Sequence, residues 1–261
     1  MPGDGILDLL EQRADALAAG GLAAEVKGFE SRVLGIPVVA LSRRRPEEAV
    51  CPQVLRDFVA VLPNGCLLSC RLSSEDLLLR ESLETAGFHF VECYLSLRHG
   101  LSDLQAPQPL PRHAAAADLE SLRALAAASF SHSRWHCDRL IPKAAADESR
   151  ALWVENALRG RAEAVYATED TAGVNGFVCC MAKRLPEGQA GVLDLIAVAA
   201  RARGQGFGRS LVRRFLSHCA ETGKAFGDVG TQAHNSGAVR LYESEGFRLN
   251  SVHYTYHLHV D

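Results

Sequence analysis

The stretch from Arg201 to Val212, RARGQGFGRSLV, constrains this chain more than any other. Glycines stand at 204, 206 and 208, the apolar run AGVLDLIAV ends just before them, and helical apolar spacing follows. Glycine loses more backbone freedom on folding than any other residue, so three at alternate positions need a reason. Strand, glycine loop and helix supply one. That geometry aims backbone N–H groups and the positive end of a helix at one point. Glycine lets an anion's oxygen touch the backbone there, and Arg203 and Arg209 bring charge to the same place. A pyrophosphate is the natural guest.

Other elements line up around this loop. HAAAADLESLRALAAASF reads as a helix with Asp118 near its first turn, and DESRALWVENALRG as a helix ending at Gly160. AEAVYATED and VNGFVCCMAKRL read as strands joined by a turn, and AGVLDLIAV as a central strand. GRSLVRRFLSHCAETG is a helix with Leu211, Phe215 and Leu216 or Cys219 inward. KAFGDVGTQA is a strand, SGAVRLYESEG a short helix and LNSVHYTYHLHV a last alternating strand. Such a mixture predicts an α/β (α+β) fold, a mixed central sheet flanked by helices.

The segment His99–His113 carries prolines at 107, 109 and 111, which exclude a helix or a central strand. A linker there divides the chain into residues 1–108 and 109–261. The first part contains an echo of the end of the second. RESLETAGFHFVECYLSLRH matches RLYESEGFRLNSVHYTYHLH when Gly87-Phe88 is set on Gly246-Phe247. The echo reads as a duplicated domain whose first copy has degenerated; the alternative is that helix, Gly-Phe turn and strand units arise independently. No glycine loop stands in the first part, so an active site belongs to the second.

Composition narrows the function classes. With 48% hydrophobic and 23% charged residues the chain can fill a core, and a net charge of −3 gives no nucleic-acid footprint. No apolar run would span a bilayer, and the start reads as an amphipathic helix with Ile6, Leu9, Leu10 and Leu17 on one face, not as a signal peptide. Eight cysteines without a CxxC pair imply buried thiols in a reducing, cytoplasmic setting. His132, His136, Cys137 and Asp138 in SHSRWHCD have metal-ligand chemistry. No second ligand cluster accompanies them and the segment looks loop-like, so no metal is expected.

The loop spacing discriminates among phosphate binders. A dinucleotide fold uses G-x-G-x-x-G and a P-loop ends in G-K-S/T; neither is present. R-G-Q-G-F-G after LDLIAV resembles the acetyl-CoA signature of the GNAT N-acetyltransferase superfamily, and HNSGAVRLYESEGF resembles its second diagnostic segment. RWHCDRLIPKAAADESRALWVENALRG and KGFESRVLGIPVV resemble stretches of the TDP-fucosamine acetyltransferases. The resemblance implies a GNAT fold preceded by a smaller, truncated GNAT-like N-terminal domain. It implies an acetyl-CoA-dependent N-acetyltransferase acting on the primary amine of a small molecule, a nucleotide-linked amino sugar being one such acceptor. Protein or peptide N-acetylation and a non-catalytic acyl-CoA sensor are the alternatives. No nucleic acid or membrane partner is expected, and either a monomer or a homodimer fits.

By the same resemblance, backbone groups of Ile196, Ala197 and Val198 would hold the pantetheine arm as an added strand. Arg203, Gly204, Gln205, Gly206, Phe207, Gly208 and Arg209 would cradle the pyrophosphate, and Asn235 would bond a pantetheine amide. Tyr242 takes the position of the general acid; read without the motif, it is a helix-face aromatic packed on the core. Asp194, Glu155, His234 or a chain of water could accept the amine's proton, and the sequence selects none of them. Alternation cannot say which face Asp194 uses. His132, Arg134 and Asp138, between the first two helices of the second part, are the acceptor-site candidates; a solvated surface loop is the plain alternative.

Overall fold

Two units, interleaved in sequence, make up the chain. The computed structural model describes residues 4–44 and 50–261. The first unit comprises the described residues up to Tyr94 with Cys137–Ala145 and Val252–Asp261; the second comprises Leu95–His136 and Ala146–Ser251. This differs from a cut at residue 108. The strands β4 (His89–His99) and β10 (Arg248–His259) each begin in one unit and end in the other. Pro107, Pro109 and Pro111 lie between strands, as their fixed φ requires, but the stretch belongs to the second unit.

In the first unit, β1 (Leu22–Val26) pairs antiparallel with β2 (Val38–Arg43), and β2 pairs parallel with β3 (Leu67–Ser73). β3 in turn pairs antiparallel with β10, from His253↔Ser73 to His259↔Leu67. Helices α1 (Asp4–Ala19), α2 (Gly28–Leu34), α3 (Pro52–Val59) and α4 (Leu77–Thr85) complete it. Ile6, Leu10 and Leu17 of α1 are buried, as their spacing predicts, with Leu55, Phe58, Leu68 and Tyr256 in the same cluster. Side chains of a strand alternate between faces. Tyr254, Tyr256 and Leu258 of β10 face this core, and the intervening His253, Thr255, His257 and His259 lie on the other face.

The second unit holds β5 (Arg112–His113), β6 (Ala164–Asp170), β7 (Gly173–Leu185), β8 (Gly188–Val198) and β9 (Phe226–Gln232). Its helices are α5 (Leu119–Ser129), α6 (Arg134–Cys137), α7 (Lys143–Asn156), α8 (Phe207–Glu221) and α9 (Ser236–Ser244). α6 ends one residue inside the first unit. β5 to β8 run antiparallel in order, and β8 pairs parallel with β9. α7 continues into a short wide turn in which Gly160 takes φ +105°, a conformation that side chains disfavour. Two apolar layers cover the sheet. Phe177, Cys179, Leu195 and Ala197 pack with Leu122 of α5 and Val154 of α7. Val178, Cys180 and Leu193 pack with Leu211, Phe215 and Cys219 of α8 and with Tyr242 of α9.

One irregularity serves both layers. Cys179 opposes Leu195 and Cys180 opposes Leu193, so Asp194 is an extra residue on β8. Such a bulge reverses the facing of everything beyond it. Leu193 therefore points at α8 while Leu195 and Ala197 point at α5 and α7.

α8 lies close on β8 and β9 because Gly191 and Gly227, directly paired, have no side chains. A Cβ at Gly227 would stand 3.1 Å from Phe215 Cε1, and one at Gly191 would overlap Cys219 Sγ. Gly191→Ala should therefore destabilise the protein by ~1–3 kcal/mol, the usual cost of overpacking. Urea unfolding should also show that Gly191→Ala with Cys219→Ala loses less than the sum of the two single losses. Additive losses would mean that the contact does not set the packing.

Candidate active site

The site begins where a ladder ends. Parallel pairing of β8 with β9 runs from Ala190↔Phe226 to Leu193↔Val229, yet β8 continues to Val198 beside β7. Past the bulge, the edge of β8 that faced β9 has lost its partner strand. The N–H of Ala199 donates to the Asn175 carbonyl at 2.7 Å, which fixes the parity of the backbone. Backbone groups of Ala197 point toward β7, and those of Ile196 and Val198 point to the vacated side. The expected set of three thus divides: Ile196 and Val198 present backbone groups on the edge without a strand partner, the Val198 carbonyl there accepting from Arg203 Nε, and Ala197 is committed to the sheet.

The glycine loop follows. Gly204 and Gly206 take φ +76° and +88°, and nothing lies within 4 Å of where a Cβ would stand on either. Gly206 caps α8 without a side chain, so the first N–H groups of the helix open onto this exposed turn. Gly208 has a different task. Its absent Cβ would sit 3.4 Å from Leu241 of α9 and 3.8 Å from Val198, so strand end, helix start and α9 converge there. Phe207 is half-buried at the start of α8.

The charges are less available than the sequence suggests. Arg203 is exposed, and its Nε donates to the Val198 carbonyl at 3.1 Å. Gln205 Nε2 donates to the Arg201 carbonyl at 3.0 Å, bracing the loop. Arg209 departs from expectation: its Nε lies 2.8 Å from Glu245 Oε1, while Arg213 Nε lies 2.7 Å from Oε2 of the same buried carboxylate. A buried carboxylate demands cationic partners, and these two arginines supply them. Asn235 caps α9, its Oδ1 accepting from the Ala238 N–H at 3.3 Å. Tyr242 is 3% exposed, within the α8 cluster, its ring centroid 5.8 Å from that of Phe247.

The candidates for base and acceptor sites separate. Asp194 turns toward α7, where its Oδ2 accepts from Trp153 Nε1 at 2.6 Å with Arg161 Nη1 at 3.5 Å. Trp153 is a residue that sequence reasoning missed; it packs against the α5 and α7 cluster, and nothing in its local pattern marks the partner on β8. Glu155 is bound by Arg123 and by Arg159 at 2.7 Å. His132 and His234 come together, with ring centroids 5.0 Å apart. Arg134 lies over the buried Trp135 ring, 4.2 Å from its centroid.

Asp138 corrects an expectation. It is a buried residue of the first unit, 3% exposed, so it is no solvated loop residue, whereas His132 and Arg134 belong to the second unit. Oδ2 meets His257 Nδ1 at 2.7 Å and His259 Nε2 at 2.8 Å. Burial opposes its charge, but hydrogen bonds from His257, His259 and the Leu140 N–H outweigh it and hold the carboxyl well below the usual range. The SHSRWHCD residues do not gather either: His136 lies between Ser133 Oγ at 2.6 Å and Asp147 Oδ1 at 3.1 Å.

This mixed sheet flanked by helices is a GNAT fold, as in the solved structures that it resembles. Residues 122–247 match the model of the Acetyltransferase (GNAT) family, and the chain carries a GNAT acetyltransferase domain. It is 33% identical over 141 residues to "Spore coat polysaccharide biosynthesis protein SpsD" of Bacillus subtilis (strain 168), a match covering 54% of this chain and 47% of that protein. The chain thus spans about half the length of that relative. It is 26% identical over 176 residues to "dTDP-fucosamine acetyltransferase" of Escherichia coli O6:H1, covering 67% of this chain and 73% of that one. In fold it is similar to a tandem GNAT protein from the clavulanic acid biosynthesis pathway, with TM-score 0.60, 10% identity and coverage of 87% and 76%. No helix among the described residues is long and apolar enough to cross a membrane.

Burial, then the charge of His234, lower the His132 pKa from 6.5. The His132 ring should therefore titrate below 6.5 by NMR, remaining neutral where a free imidazole is half charged. His234→Gln should raise the midpoint by only part of the shift, because burial is the larger cause. A midpoint unmoved by that change would separate the two rings electrostatically.

Proposed function

We propose that this chain is an acetyl-CoA-dependent N-acetyltransferase that acetylates the primary amine of a small acceptor, with a nucleotide-linked amino sugar as the acceptor class. The observation that carries the proposal is the unpartnered β8 edge at Ile196 and Val198, which runs directly into the exposed Gly204–Gly206 turn at the start of α8. An extended amide-bearing arm pairs with such an edge, and a pyrophosphate fits a helix N-terminus flanked by glycines. The donor is a co-substrate, and no metal is assigned to its chemistry. Support for the sugar acceptor is the naming of the two relatives, one for a dTDP-sugar acetyltransferase and one for polysaccharide biosynthesis. The eight cysteines, all present as free thiols, support a reducing, cytoplasmic setting.

In this reading a neutral amine attacks the thioester carbonyl and CoA leaves as a thiolate. Tyr242 gives its phenolic proton to that sulfur, and the proton that the nitrogen loses as the amide forms restores the phenol by way of solvent. Thiols titrate near roughly 8.5 and phenols near roughly 10, so the transfer is mildly uphill in water. Apolar surroundings disfavour a bare thiolate and ease the transfer. His132 and His234 are the groups we place toward the acceptor, together with Arg134. His234 is exposed and His132 is biased to its neutral, proton-accepting form.

The first unit is a GNAT-like unit without a donor site. Its support is a matching turn. Phe88 N donates to Leu83 O at 3.0 Å, as Phe247 N does to Tyr242 O at 3.0 Å. Gly87 and Gly246 take φ +90° and +91°. Asp76 caps α4 as Asn235 caps α9. In the first unit, Leu83 stands where Tyr242 stands in the second.

Gly206→Ala should weaken acetyl-CoA binding at least about tenfold, roughly 1.4 kcal/mol, with wild-type stoichiometry of one donor per chain. Calorimetry on a folded variant checks this; undiminished affinity would remove the loop from the donor site. A panel of amines then separates turnover from mere acyl-CoA binding.

Tyr242→Phe keeps the ring and removes the acidic proton. Turnover should fall at least about tenfold with acetyl-CoA affinity nearly unchanged, since the interaction belongs to the transition state. The loss of rate at alkaline pH in the wild type should move or vanish in the variant. Wild-type kcat in the Phe variant, measured where chemistry limits, would make Tyr242 a packing residue.

A further inference from the structure

The motif H-x-H at the end of β10 remains unused by the acetyl-transfer reading. A strand period of two places His257 and His259 on one face, opposite the core-facing Tyr256 and Leu258. Asp138 reaches the same point from the segment Cys137–Ala145, and all three belong to the first unit. Their ligand atoms, one from each residue, lie within 4.8 Å of one another. Asp138 Oδ1 is fixed by the Leu140 N–H at 3.0 Å, which aims Oδ2 at the two imidazoles. The side chains of Asp138 and His257 are fully buried and that of His259 is 15% exposed, so one side opens toward solvent. His89 stands there, its Nε2 3.8 Å from Asp138 Oδ2.

We propose that Asp138, His257 and His259 form a binding site for a divalent zinc ion in the first unit. Two imidazole nitrogens and one carboxylate oxygen suit that ion, with water or His89 completing four-coordination. Around zinc, adjacent ligand atoms stand about 3.3 Å apart, so the 2.7 and 2.8 Å contacts need open by only roughly half an ångström. The Leu140 N–H bond supplies the outer support that orients a ligating carboxylate. The ion replaces the hydrogen atoms that now bridge the carboxylate and the rings. It would pin the end of β10 to a segment 119 residues earlier in the chain. Binding to the folded state alone makes such a clamp a source of stability.

The test uses the full chain stripped of metal by a chelator. Titration with zinc against a chromophoric competitor should show one equivalent per chain, and the melting temperature should rise with zinc and fall back with chelator. Cobalt(II) should give the visible absorption of a four-coordinate nitrogen and oxygen site without a near-ultraviolet thiolate band. Asp138→Asn and His259→Gln should each weaken zinc at least about tenfold. No zinc uptake by the wild type, a thiolate band pointing to cysteine ligands, or folded variants that bind as tightly as the wild type would each overturn the site. If either variant fails to fold, the wild-type cobalt spectrum decides.

Discussion

The geometry of the candidate site depends on one event in the sheet: β8 stops pairing with β9 after Leu193↔Val229. The bulge at Asp194 coincides with that point, and Trp153 and Arg161 hold its extra carboxylate. A bulge twists its strand and shifts its facing by one residue. Here the shift lets the same strand bury Leu193 against α8 and then Leu195 and Ala197 against α5 and α7. The strand satisfies both apolar layers while its backbone edge at Ile196 and Val198 leaves the ladder. Unsatisfied edge groups are costly when buried and recruit a partner when accessible. An incoming extended ligand resolves that tension, so the feature that interrupts the sheet also defines the site.

Much of this was legible because it is local. Glycine spacing, helical periodicity and the Gly-Phe turns depend on near neighbours, and the elements fell where those patterns put them. What the sequence withheld depends on distant partners. A bulge leaves no compositional mark, so neither the parity of Ile196 and Val198 nor the direction of Asp194 could be read. Arg209 read as an unpaired charge because its partner, Glu245, comes from the end of α9, far along the chain. Asp138 read as an acceptor-site candidate beside His132 and Arg134 in sequence, yet its companions come from the last strand. The proline segment punctuated the chain as expected. The units nonetheless divide elsewhere, since β4 and β10 pass from one to the other.

The two units show how one local architecture can serve different chemistry. Capped helix, left-handed glycine, buried phenylalanine and strand recur at α4–β4 and α9–β10 with the same hydrogen bonds. These parts fix backbone geometry and are indifferent to what the helix carries. Leu83 fills an apolar layer where Tyr242 adds a hydroxyl to a similar layer. Polar investment in the first unit moves to the opposite face of its sheet. There Arg71 bonds the buried Glu92 at 2.6 Å, and Asp138 gathers its histidines. Buried carboxylates are costly unless every lone pair finds a donor. Such arrangements specify the packing, and at Asp138 the donors are themselves metal-ligand side chains.

The charge distribution around α8 sharpens what the anion contact must be. Arg209 and Arg213 share the buried Glu245, so the two guanidiniums together bring a net single positive charge to the first turns of the helix. Arg201 is bound to Asp170, and Arg203 reaches back to the Val198 carbonyl. What remains unscreened by carboxylates is Arg203 and the row of backbone N–H groups that follow Gly206. Backbone donors are fixed by the helix and lose no side-chain freedom on binding, whereas a guanidinium must be ordered. Affinity at such a loop rests on the conformation of Gly204 and Gly206 more than on the number of arginines nearby. Gly204 and Gly206, held at positive φ, are the part of the loop where a side chain is least tolerated.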